Sequence, residues 1–192
     1  MRPAGFTHDC RVCTMIFRIL SAFAVMIAAV HGWRFVGYIC DDAVISFRSV
    51  LNFGQGHGLV YNVGEQVETF TNLGFVFLLM AAQALGCDLF VAAGWIGWAS
   101  AVGAVLATWW LAREVLPDNA AWVPPLVVAM STTLIGQAGT GLETSTAALF
   151  VTLGLTRLLR ECRSTVSESE RPRPGLGLFL LAIAALVRID CV

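Results

Sequence analysis

The chain has 192 residues, 57% of them hydrophobic and only 13% charged, with a mean hydropathy of +0.75. Soluble domains carry about 25% charged residues, so this composition excludes an ordinary soluble fold and reads as an integral membrane protein. A net charge of -1, with no basic stripe interleaved with aromatics, excludes the footprint of a nucleic-acid binder.

Residues 1–14 are polar, with Arg2, His8 and Arg11, and read as a cytoplasmic N-terminus. Cys10 and Cys13 have CxxC spacing, but no second pair follows at zinc-ribbon distance, so the six cysteines read as incidental thiols. Residues 15–36 are a largely apolar run interrupted by Arg18 and His31, with Ser21 and, near its end, Arg34. At the helical rise these roughly 22 residues span about 33 Å, enough for a hydrocarbon core. Arg18 can snorkel to the headgroups, and the absence of a small-residue cleavage site predicts a retained anchor. The arginines before it predict a cytoplasmic N-terminus.

Residues 37–72 then read as a long first extracytoplasmic loop, rich in Gly and Asn turns. Its string Gly54-Gln55-Gly56-His57-Gly58 lacks the strand-before, helix-after setting of a phosphate cradle. Apolar segments follow at 73–85, 89–112, 120–135 and 142–159, then a polar loop at 160–174 and a last apolar run at 175–187. The expected fold is an all-α polytopic membrane protein with about five to six apolar helices, one membrane domain covering 15–192. Tryptophans near segment ends fit interfacial belts, and no repeat at solenoid period is evident.

Topology constrains the count. If every segment spans, Arg157, Arg160, Arg163, Arg171 and Arg173 surround an external loop, against the positive-inside tendency. Making either the short 73–85 or the Pro124-Pro125-broken 120–135 non-spanning repairs the parity. Either repair puts Gly141-Leu142-Glu143-Thr144 on the same outer face as Asp41-Asp42.

Ionisable residues beside a bilayer are costly and mark chemistry or ion handling. Asp41 and Asp42 are adjacent carboxylates: one can act as general base while the other fixes a cation or a hydroxyl. Both together can hold a divalent ion, Mg or Mn, through oxygen ligands. Equally, they read as favourable acids at a helix N-terminus. If 41–51 is helical, Arg48 shares a face with Asp41 and can meet a phosphate, while Ile45 and Phe47 dip toward lipid. Glu143 by itself reads as a helix N-terminal acid, His57 as exposed loop, and Arg188 with Asp190 as an interfacial anchor.

The ordered set Asp41-Asp42-Ala43-Val44-Ile45-Ser46-Phe47-Arg48, Gly56-His57-Gly58-Leu59-Val60-Tyr61-Asn62, Gly64-Glu65-Gln66-Val67-Glu68 and Thr71-Asn72 resembles the bacterial GT-C polytopic glycosyltransferases. The likeness is to the actinobacterial terminal arabinofuranosyltransferase group in particular. Gly141-Leu142-Glu143-Thr144 resembles that group's Gly-Leu-Glu-Thr, and Arg188-Ile189-Asp190 its Arg-Pro-Asp/Glu, with isoleucine in place of proline. Thr69-Phe70-Thr71 stands where the family has Gly-Tyr/Phe-Thr. The resemblance implies an enzyme of the bacterial plasma membrane. It would move a sugar from a polyprenyl-phosphate donor to a cell-envelope glycan or lipid acceptor on the extracytoplasmic face.

It also implies Asp41 and Asp42 as base or metal-associated carboxylates, and Arg48, His57, Asn62, Glu68, Asn72, Glu143 and Arg188 as substrate-binding residues. Family members are much longer, so the chain is expected to match their N-terminal part, as a fragment or a half that works with a partner subunit. Two other readings stay open from the residues. One is a transporter or flippase segment, since intramembrane acids and Pro-broken helices occur in carriers. The other is a non-catalytic remnant that only assembles with other membrane proteins.

Overall fold

The helix at the start of the chain shows why its residues fold as they do. Met15, Ile19, Phe23, Met26, Val30 and Trp33 recur at three- and four-residue steps and are all exposed, forming one apolar stripe. Ser21, Ala24 and Ala28 lie on the other side and are buried. An exposed apolar stripe backed by small residues is the pattern of a helix that faces lipid and packs inward on small side chains. The computed structural model describes residues 11–65, 67, 70–168 and 175–189. Among them every element is helical: α1 (Arg11–Trp33), α2 (Asp41–Gly54), α3 (Leu73–Ala84), α4 (Leu89–Val115), α5 (Val123–Ala129), α6 (Thr132–Gly136), α7 (Thr144–Glu168) and α8 (Leu176–Val187).

Among the described residues two helices are long and apolar enough to cross a membrane: α1 over Met15–Trp33 and α4 over Leu89–Val115. The expected long first loop is in part regular. α2 occupies its first half, with Ala43, Phe47 and Val50 buried at helical spacing. The chain turns irregular only where Gly54, Gly56 and Gly58 follow. The Pro-broken segment 120–135 does not make one helix. Pro124 and Pro125 sit in the first turn of seven-residue α5, where a missing N–H costs nothing, and five-residue α6 restarts on a Ser131 cap.

α4 and α7 run parallel. Thr146 Oγ1 donates to Ser100 Oγ at 3.0 Å and Arg160 Nε to Glu114 Oε1 at 2.8 Å, both across 46 positions. α8 runs antiparallel to α7 on close glycine contacts. A Cβ on Gly177 would meet the Leu158 backbone at 2.7 Å, and one on Gly154 would meet Leu181. α3 starts beside Leu186 and Val187, near the end of α8, and hands over to α4 beside Ala43 and Phe47. Both of its ends therefore lie at the end of the bundle that carries α2. Its 12 residues amount to roughly 18 Å.

The two ends differ in charge. Around α2 lie Asp41, Asp42, Glu65, Asp88 and Glu143, with Arg34, Arg48 and Arg188. At the opposite end lie Arg18, Arg113, Arg157, Arg160 and Arg163, with Glu114, Asp118 and Glu161. The six tryptophans of the chain divide likewise. Trp33, Trp95 and Trp98 stack edge-on at the first end, and Trp109, Trp110 and Trp122 line cavities at the second. Trp98 is more than a lipid-contacting ring, because its indole N–H donates to the Ala29 carbonyl at 2.9 Å and ties α4 to α1.

Candidate functional site

The site forms where the starts of α2 and α7 are stitched together. The Cys40 N–H donates to the Thr140 carbonyl at 2.9 Å, joining the residue before Asp41 to the turn before Glu143. That turn needs Gly141. Its φ is +82°, and an added Cβ would stand 3.0 Å from both Ala43 and Phe47 on α2. Glu143, with only 13% of its side chain exposed, is thereby held against α2 and the start of α3.

A polar network joins the segments around it. Ser46 Oγ, buried on α2, donates to Asn72 Oδ1 at 3.3 Å, and Asn72 Nδ2 donates to Glu143 Oε2 at 2.9 Å. Arg188, just past α8, places Nη1 3.8 Å from Glu143 Oε1 and donates to Thr144 Oγ1 at 3.0 Å. Thr144 in turn donates to Gln137 Oε1 at 3.2 Å. Four stretches of chain far apart in sequence, at Ser46, Asn72, Gln137–Thr144 and Arg188, thus meet at one polar mouth.

The mouth opens on a cleft of about 930 Å³ whose lining includes Asp42, Asn72, Glu143 and Arg188. Its inner wall is the α7 face of Ala147, Ala148, Val151 and Thr152, successive positions on one side of a helix. Ile45 and Phe70 add apolar surface. A polar, charged mouth with an apolar trough behind it suits an amphiphile with a polar head and a hydrocarbon chain.

Of the expected site residues, Asp42, Asn72, Glu143 and Arg188 come together here, and the others lie elsewhere. Asp41 is exposed beside Asp42 and does not line the cleft. Arg48 fastens the loop after α2: it donates from Nε to the Tyr61 carbonyl at 2.9 Å and from Nη2 to Asn62 Oδ1 at 3.0 Å, and covers the Tyr61 ring at 4.5 Å. Asn62 passes the chain on by donating to Glu65 Oε2 at 3.0 Å. His57 is exposed between Gly56 and Gly58, both at positive φ. Glu68 lies outside the described residues. Among the described residues no three His, Cys, Asp or Glu side chains converge as a metal cage.

Ser46, Gln137 and Thr144 join the network without having been singled out. Ser46 and Thr144 sit inside the motif strings, next to residues that were chosen. Gln137 follows a five-residue helix and carries no local signal at all. Comparison with family models, with curated proteins and with solved structures returned no match for this chain.

Proposed function

We propose that this chain is the N-terminal, membrane-embedded portion of a GT-C-type glycosyltransferase using a polyprenyl-phosphate sugar on the extracytoplasmic face. The observation that carries the reading is the convergence of four separate motif segments, through Asp42, Asn72, Glu143 and Arg188, on one amphipathic cleft. In the proposed step an acceptor hydroxyl attacks the anomeric carbon of the donor. The new glycosidic C–O bond forms as the sugar–phosphate bond breaks, Asp42 takes the hydroxyl proton, and polyprenyl phosphate departs. Arg188 faces the departing phosphate, with Glu143 and Thr144 fixing its guanidinium.

The charged side chains at the mouth, Asp42 and Glu143 against Arg188, leave the cleft acidic. A divalent Mg or Mn at the mouth would supply the further positive charge that an entering phosphate meets there. The lipid tail would lie along Ala147, Ala148 and Val151. In the proposed topology α1, α4, the α5–α6 pair, α7 and α8 each cross the bilayer, and α3 stays at the outer face because both its ends lie at the cleft end. The arginine-rich end then faces the cytoplasm of a bacterial cell, as the positive-inside tendency requires.

The test is transfer of labelled sugar by membranes from cells producing the protein. Asp42→Asn at unchanged protein level is expected to lower the rate by about a hundredfold or more, while Asp41→Asn, outside the cleft, retains most of it. Full activity in Asp42→Asn would overturn the assignment of the base.

A further inference from the structure

We infer that the arginine-rich end of the bundle is a binding site for the headgroup of an anionic phospholipid. The site is distinct from the cleft and independent of any catalysis there. A cavity of about 300 Å³ opens between α4, the turn after it and α7, lined by Trp110, Arg113, Glu114, Asp118 and Arg160. A smaller one of about 50 Å³ adjoins it, sharing Arg113 and Asp118 and adding Arg18 of α1. Four arginines from three helices, Arg18, Arg113, Arg160 and Arg163, therefore surround two carboxylates.

The pairing decides what the site can take. Glu114 accepts from Arg160 Nε at 2.8 Å and from Arg163 Nη1 at 3.3 Å, so a single carboxylate holds both guanidinium groups. Arg113 makes no ion pair among the described residues and lies over the Trp109 ring at 5.3 Å. Arg18 likewise has no ion pair there. The group keeps a surplus of positive charge, which a phosphate can offset by bridging Arg113 and Arg160 across the cavity.

Position selects a lipid over a soluble anion. The cavity sits at the far ends of α4 and α7, where Trp110, Leu155 and Leu159 are exposed. An indole beside the polar cavity, with Leu159 next to Arg160 and Leu155 about one turn deeper on α7, places apolar surface where acyl chains leave a headgroup. Basic pockets between membrane helices on the cytoplasmic side recognise anionic headgroups in this way.

The experiment is native mass spectrometry of the purified full chain, titrated with phosphatidylglycerol or phosphatidylcholine. One retained phosphatidylglycerol, weak phosphatidylcholine binding and no displacement by millimolar inorganic phosphate are expected. Arg18→Gln with Arg113→Gln removes two charges that hold no ion pair, and should weaken phosphatidylglycerol binding about thirtyfold. The corresponding lysine pair should restore most of it, which separates loss of charge from loss of fold. Equal retention of the two lipids, displacement by inorganic phosphate, or unchanged binding in the glutamine pair would each overturn the inference.

Discussion

Asn72 shows at residue scale how much of a site is support. The resemblance implies substrate contact for it; in the structure it lines the cleft, its oxygen accepts from Ser46 and its nitrogen donates to Glu143, so a buried amide links α2 to the start of α7. Asn72→Ala leaves the Ser46 hydroxyl and a mostly buried Glu143 carboxylate short of a partner. The expected cost is about 1–3 kcal/mol, read as a lowered midpoint in thermal unfolding of the detergent-purified protein. An unchanged midpoint would show that water replaces the amide freely. Asp42 was legible as a candidate because an acid pair stands out beside an apolar run, whereas Glu143 and Arg188 became candidates only through the family resemblance. That Arg48 serves the loop was not, because its partners are a backbone carbonyl and Asn62, 13 and 14 positions away.

Among the elements, α1 and α4 could be read from hydropathy because long apolar runs have few other solutions. The proline pair in 120–135 announced an interruption but not its place: Pro124 and Pro125 start α5, and the break falls later, at Met130 and Ser131. α2 was harder: its buried Ala43, Phe47 and Val50 are spread among charges and hydroxyls, so no apolar run announces it. The α7–α8 contact was not legible, because a glycine shows its purpose only against its neighbour. Gly177→Ala would press a Cβ onto the Leu158 backbone at 2.7–2.8 Å and push the Gly177 N–H away from Glu161, which accepts it at 3.1 Å. Backbone cannot give way, so a loss of about 1–3 kcal/mol in the same unfolding assay is expected. Gly103→Ala meets only the flexible Leu149 side chain, at 3.1 Å, and should be close to neutral. Equal effects of the two substitutions would remove the argument for a tight α7–α8 seam.

For the whole molecule, the decisive asymmetry is between an acidic end that holds the cleft and a basic end that does not. Neither end could be assembled from the sequence, because each gathers residues from helices whose direction depends on which segments turn back. Two natural cysteines can report that direction. Cys87 is exposed in the turn between α3 and α4, at the cleft end, and Cys162 is exposed on α7 beside Arg160 and Arg163. If α3 remains at the outer face, a membrane-impermeant maleimide added to intact cells labels a variant retaining only Cys87 and spares one retaining only Cys162. Opening the membrane should then expose Cys162 to the reagent. Labelling of both cysteines from outside would mean that α4 does not cross, and labelling of Cys162 alone would invert the bundle. Either result would move the cleft away from a lipid-linked donor on the outer face, so the geometry of the ends is tested before any sugar is followed.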